Sequence, residues 1–150
     1  MNRKLILFFA TGAGVGFLPG MPGTYGTAVA VLLYAAVEHL PAWHFFLFTI
    51  TFSLFSVWVA GFAENIFAQH DSQKIVIDEI AGYLVTMLFI PFAWKYAIAG
   101  FILFRLFDIL KPWPIRLIDQ KWKGGWGVVG DDLLAGVFGN LGMQILIKYL

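Results

Sequence analysis

Between Pro41 and Ala63 the sequence runs for 23 residues without an Asp, Glu, Lys or Arg. A helix needs about 20 such residues to cross the hydrocarbon of a bilayer. This stretch restricts the chain to folds that can accommodate a long apolar rod. The rest of the chain points the same way. Hydrophobic residues make up 60% of the 150 and charged residues 13%, against about 45–50% and about 25% in a soluble domain. The 19 charged side chains could cover little of the surface of so small a domain. We therefore expect one compact domain, residues 1–150, built as a polytopic membrane bundle of five or six helices with no strands. Such a bundle satisfies its backbone hydrogen bonds internally, as lipid demands.

Composition also excludes several classes. A net charge of +1 leaves no basic surface for nucleic acid, and the apolar content rules out disorder. With no cysteine, disulfides, thiolate metal sites and cysteine nucleophiles are all absent. The start has a signal-peptide look, with Arg3 and Lys4 before the apolar run Leu5 to Ala10. The run then dissolves into Gly12, Gly14 and Gly16 without a small-x-small cleavage site, so it is expected to stay in the chain.

Further apolar segments span roughly Ala28–Val37, Ile80–Ile90, Ala97–Phe107 and Leu133–Leu150. Alternate connections then fall on the same side. Eight of the ten Lys and Arg residues lie in segments 1–27, 64–79 and 105–132, and only Lys95 and Lys148 lie opposite. The positive-inside rule puts the first group in the cytoplasm. Eight of the nine acids fall on that side too, with Glu38 alone opposite. Both signs crowd one face, which points to chemistry there. Gly136, Gly139 and Gly142, and Gly12 with Gly16, recur at spacings that let helices approach closely.

Four polar constellations lie on the charged side. In residues 18–27, Pro22-Gly23 and Tyr25-Gly26 suggest tight turns whose amides converge on an anion. Thr24 and Thr27 add hydroxyls, and Thr27 is placed to cap a helix starting at Ala28. Asp78-Glu79 opens an apolar helix. The doublet suits a hard divalent cation, with Glu79 on a small, semi-polar face beside Gly82, Tyr83 and Thr86, while Asp78 could serve only as an N-cap. Asp131-Asp132 opens the last helix after the flexible run Gly124 to Gly127. Asp132 shares its face with Ala135, Gly136 and Gly139, so it is the better inward ligand of the two. Arg105, Asp108 and Lys111, three apart, line one side of a helix end that Pro112 and Pro114 then break. Arg105 beside an apolar span calls for a partner or a function, and a guanidinium can clamp phosphate. Asp108 is either a metal ligand or the partner of Arg105. Lys111 and Arg116 would hold substrate phosphate or anionic lipid headgroups. Asp119 is expected to be an exposed acid. His70-Asp71 could form an acid/base pair or a solvated turn, and Glu64 sits at a helix end with no required role.

Carboxylates for a cation, fixed cations for phosphate and an anion-ready loop at one membrane surface suit metal-assisted phosphoryl chemistry on a lipid headgroup. The chain resembles the bacterial phosphatidylglycerophosphatase A family. The resemblance rests on Pro22-Gly23-Thr24-Tyr25-Gly26-Thr27, Ile77-Asp78-Glu79-Ile80-Ala81-Gly82, Phe104-Arg105 with Asp108, Lys111-Pro112-Trp113-Pro114-Ile115, and Gly124-Gly125 with Asp131-Asp132 and Ala135-Gly136. It implies a magnesium-dependent hydrolase of phospholipid biosynthesis in the bacterial inner membrane. Such an enzyme converts phosphatidylglycerophosphate to phosphatidylglycerol and inorganic phosphate, with its site facing the cytoplasm. Its cation would be held by some of Asp78, Glu79, Asp108, Asp131 and Asp132. Either in-line attack by water or an aspartyl-phosphate intermediate fits these residues. The alternative from another class is a small transporter or channel whose charges line a path. A headgroup transferase ranks below both, because the Asp-Gly-x-x-Ala-Arg signature of alcohol phosphotransferases is missing.

Overall fold

The computed structural model describes residues 2–149. Every regular element among them is helical: α1 (Arg3–Ala10), a 3-10 turn (Val15–Phe17), α2 (Pro22–Val37), α3 (Ala42–Phe67), α4 (Ile77–Thr86), α5 (Trp94–Leu110), α6 (Ile115–Lys121) and α7 (Gly124–Leu146). The all-helical expectation holds among the described residues, but the α-helices number seven rather than five or six. The extra ones are α1 and α6, of 8 and 7 residues; α1 lies in the apolar run that resembles a signal peptide and α6 in the charged connection after Pro112. Leu150, the expected end of the last helix, lies outside the described residues.

Two helix starts differ from expectation. Residues 22–27 are not tight turns but the opening turns of α2, which begins at Pro22 rather than Ala28. Proline is suited to this position because its missing N–H would have no helical partner there anyway. Gly124 to Gly127 is likewise no flexible run. It forms the first turn of α7, and a Cβ on Gly125 would lie 1.9 Å from the Val57 carbonyl oxygen of α3. In both places close packing overrides the weak local propensity of glycine.

Among the described residues, α3 is the one helix long and apolar enough to cross a membrane. Its polarity is inverted relative to a soluble helix. The buried positions include Thr49, Ser53 and Ser56, whose hydroxyls donate to the carbonyls of Phe45, Thr49 and Phe52. The exposed stripe is Trp43, Leu47, Ile50, Leu54, Trp58 and Phe62. α5 exposes Trp94, Ile98, Ile102 and Leu106 in the same way, and α7 exposes Val137, Leu141 and Ile145.

At the centre is α4, with eight of its ten residues buried between α2, α3, α5 and α7. Its crossing with α7 is a backbone contact. A Cβ on Gly136 would lie 2.3 Å from the Gly82 carbonyl oxygen, and the Thr86 hydroxyl donates to the carbonyls of both Gly82 and Gly136. The small-residue spacing in α7 is therefore a packing device, as its period suggests. α4 stops at Thr86, and the chain turns through Phe89, which has φ 60°. The carbonyls released there are taken by Asn140 of α7, whose amide donates to Thr86 and Leu88 at 2.9 and 2.7 Å.

The helix ends gather at two places. Gly23 of α2 lines one cavity and Glu38 another, separated by about 22 Å of helix. The second is bounded largely by aromatic and aliphatic side chains of the α2–α3 and α4–α5 connections. The first carries the charges.

Candidate active site

The charged cavity measures about 340 Å³ and is lined by residues from four parts of the chain: 20–23, 71–79, 105–111 and 128–132. α4 presents Asp78 and Glu79 in its first turn, where the helix dipole favours negative charge. Val76, not Asp78, occupies the N-cap position, so Asp78 is free to face the cavity. Asp132 comes from α7. The Asp131-Asp132 doublet does not open that helix as expected but lies two turns inside it, because the helix begins at Gly124.

Ligand oxygens of Asp78, Glu79 and Asp132 all lie within 4.8 Å of one another. Two ionised carboxylates at that separation repel by about 3–4 kcal/mol at an effective dielectric of about 20. Something positive must offset this, either a cation or protons. Asp78 Oδ1 and Glu79 Oε2 are buried and have no hydrogen-bond partner, and Asp131 Oδ1 is in the same condition. Burial, and then the Glu79 charge, push Asp78 well above the usual carboxylate range. Burial raises Glu79 to about 7, with the Asp108 charge adding to it, while a hydrogen bond with Asp78 and the Arg105 charge pull the other way. An all-oxygen donor set with orphaned oxygens fits a hard divalent cation.

The cationic residues are arranged around this cluster. Arg105 and Asp108 form an ion pair one turn apart on α5. The structure thus puts Asp108 beside Arg105 and outside the three-carboxylate cluster. Arg105 Nε stays buried and unpartnered. Lys111 caps α5 in the left-handed region at φ 42°. Its ammonium donates to Asp131 Oδ2 at 2.7 Å and to Asp119 at 2.5 Å. Burial alone would lower the Lys111 pKa, but the hydrogen bonds to Asp119 and Asp131 outweigh it and hold the value above the ordinary range. Asp119 is thus a half-buried partner of Lys111 rather than the exposed acid expected.

The N-terminus of α2 closes one wall. Met21, Pro22 and Gly23 line the cavity, and a Cβ on Gly23 would lie 2.3 Å from Glu79 Oε1 and 3.0 Å from Arg105 Nη1. Only glycine leaves room here for the Glu79 carboxylate and the Arg105 guanidinium against α2. The expected hydroxyl contribution is not seen. Thr27 is fully buried and its hydroxyl donates to the Gly23 carbonyl at 2.8 Å, so it caps nothing. Thr24 lies in the first turn of α2 but outside the cavity lining. Arg116 is exposed on α6, also outside the lining.

His70 and Asp71 do not pair with each other as an acid/base couple. His70 Nδ1 contacts Glu64 Oε1, which also accepts the Asp71 backbone N–H at 3.0 Å. Glu64 thus organises the turn, and Asp71, at φ 48°, forms part of the cavity wall. Burial, partly offset by Lys111, raises the Asp71 carboxyl. The sequence offered one signal for its place in the wall, its position in a connection on the charged side.

Residues 8–147 match the family described as Phosphatidylglycerophosphatase A. The chain is 35% identical over 130 residues to the Phosphatidylglycerophosphatase A of Escherichia coli K12, covering 85% of this chain and 75% of that protein. It is 36% identical over 135 residues to the protein of that name from Haemophilus influenzae, with 89% and 83% covered. A relative from Bacteroides thetaiotaomicron, whose name gives it provisionally as a phosphatidylinositol-3-phosphatase, is 36% identical over 143 residues, with 89% and 88% covered. No solved structure matches the chain. By a match covering nearly its whole length, the chain belongs to the phosphatidylglycerophosphatase A family.

Proposed function

We propose that this chain is a metal-dependent lipid phosphate monoesterase that hydrolyses phosphatidylglycerophosphate to phosphatidylglycerol and inorganic phosphate. The observation that carries this reading is the convergence of Asp78, Glu79 and Asp132 beside Arg105 and the N-terminus of α2. These three carboxylates would hold the cation, and magnesium is the hard ion that suits them. When bound, it supplies neutralisation of phosphate charge and activation of water. The chain's own groups do the rest. Arg105 can turn its guanidinium from Asp108 to phosphate oxygens. The N–H groups of Gly23 and Thr24 in the first turn of α2, with no partners inside the helix, would donate to an anion. Lys111 holds Asp131 in place beside Asp132. The family supports the phosphatidylglycerol branch, and the Bacteroides relative's name shares its chemistry, a phosphomonoester on a lipid headgroup.

The same reading makes the protein a multi-pass inner-membrane enzyme with its cavity facing the cytoplasm. Its support is the apolar outer stripes of α3, α5 and α7, together with exposed tryptophans near both ends of the bundle. Trp43 and Trp94 stand at the Glu38 end, and Trp113, Trp122 and Trp126 near the charged cavity.

The test is phosphate release by detergent-purified protein from phosphatidylglycerophosphate, phosphatidylinositol 3-phosphate and phosphatidic acid, with magnesium or with a chelator. Release from phosphatidylglycerophosphate that the chelator abolishes is expected. Absence of release from every lipid, together with solute flux in sealed vesicles, would replace the enzyme with a transporter.

A further inference from the structure

An apolar groove of about 320 Å³ runs along the outer face of α5, lined by Phe101, Ile102, Arg105, Leu106, Ile109 and Leu110. Two of these residues, Arg105 and Ile109, also line the charged cavity. The groove and the cavity therefore share a wall. Residues 102, 105, 106 and 109 follow the helical spacing of one face, so a single strip of α5 passes from apolar surface to site. The groove itself is open, with Ile102 59% and Leu106 46% exposed. A second apolar groove, between α3 and α7 and lined by Ile50, Leu54 and Val137 among others, shares no residue with the charged cavity.

A lipid phosphomonoester poses a problem that a soluble one does not. Its phosphate must reach the carboxylates while its diacylglycerol stays in hydrocarbon. Resting on the function proposed above, we infer that the substrate enters sideways across Arg105, with an acyl chain lying in the α5 groove and the headgroup in the cavity. Arg105 and Ile109, which line both, join groove to cavity. Acyl chain meets Ile102 and Leu106, the inner phosphodiester meets Arg105, and the terminal phosphate reaches Glu79 and Asp132. The unpartnered Arg105 Nε supplies a buried donor at the crossing point. The α3–α7 groove lacks this continuity and serves ordinary bilayer lipid.

Two measurements test this. The first compares hydrolysis of dioleoyl phosphatidylglycerophosphate with that of its deacylated headgroup, as a ratio of kcat/KM values. Ile102→Trp and Leu106→Trp, at exposed positions that tolerate the larger ring, are each expected to lower that ratio by about fivefold or more. Leu141→Trp, on the exposed face of α7, should leave it as in the wild type. An unchanged ratio in both groove variants overturns the inference. The second needs no turnover. Phosphatidylglycerophosphate carrying a diazirine midway along one acyl chain is photolysed in mixed micelles, and the adducts are mapped. Adducts concentrated on residues 101–110 and competed by unlabelled substrate are expected. Adducts spread evenly over the outer faces of α3, α5 and α7 would mean annular lipid only and refute the groove. If the wild type hydrolyses neither compound, the function proposed above fails, while the photolysis result still decides the groove.

Discussion

At the scale of single residues, the centre of the site is a group of carboxylates that repel one another. Glu79→Gln and Asp132→Asn each remove one charge without changing shape. Each should cut phosphate release by about 100-fold or more, since charge stabilisation of this kind contributes several kcal/mol to a barrier. Neither should lower the melting temperature measured without magnesium, because each relieves repulsion. Near-normal release by either variant would sink that residue's assignment. The same cluster sets a pH dependence. Glu79 ionises at about 7 in the folded chain against an ordinary value of 4.5. Between those values the folded state holds a proton that the unfolded state has lost, so its contribution to stability increases as pH falls through about 7. Metal-free protein should therefore melt at a higher temperature at pH 6 than at pH 8. Magnesium should narrow that difference by stabilising the ionised form, and its affinity should weaken on acidification. A melting temperature that falls steadily from pH 8 to 6 in chelator would contradict this. Sequence spacing favoured Glu79 and Asp132 as inward residues, and both do reach the cavity. It could not decide Asp108, because a carboxylate one turn from an arginine satisfies the ligand and the partner patterns equally. Nor could it show that Lys111 is held by Asp119 and Asp131, a contact that depends on how α6 folds back.

At the scale of helices, the close crossings carry separable predictions. Gly23→Ala places a methyl against Glu79 and Arg105. Both are side chains that can shift, so the fold should survive while activity drops by about tenfold or more, as in other cases of misplaced catalytic groups. Gly136→Ala places a methyl against the Gly82 carbonyl, where only backbone can move. It should cost about 1–3 kcal/mol in stability, the usual range for overpacking. Thermal melts and phosphate release, run side by side, separate the two. Asn140→Leu keeps the volume but leaves the Thr86 carbonyl without its donor and the Leu88 carbonyl with only the 3.5 Å contact from Gln144. An acceptor left unpaired costs about 1–3 kcal/mol, and a melting temperature equal to wild type would disprove the role. The existence of α2, α3, α4, α5 and α7 was legible in the apolar segments. The starts of α2 and α7 were not. Glycine and proline are local signals for turns, and only the neighbours packed against them, the Glu79 and Val76 side chains at α2 and the Val57 backbone at α7, reveal that a helix needs them.

For the whole molecule, the proposed orientation can be read directly because the chain has no cysteine. Gln69→Cys stands near the charged cavity and His39→Cys near the opposite one, both at exposed positions. In inverted membrane vesicles, whose cytoplasmic face is outward, an impermeant maleimide should label Gln69→Cys and spare His39→Cys. Labelling of both, or of His39→Cys alone, would overturn the orientation. The proposed side of each connection came from counting charges. That both signs converge on one cavity needed the three-dimensional arrangement, because four stretches of chain separated by 47, 25 and 16 residues each supply a wall. The buried α4 carries a consequence for biogenesis. Ten residues are too few to be inserted as an independent span, and the amide that completes its end arrives 54 residues later in Asn140. On the proposed topology α4 would wait during synthesis, with its acidic first turn at the membrane surface, until α7 emerges and locks it in place. The proposed metal-binding carboxylates would therefore be assembled last, and a nascent chain that stalls before residue 140 holds every one of them yet lacks the clasp that keeps α4 seated.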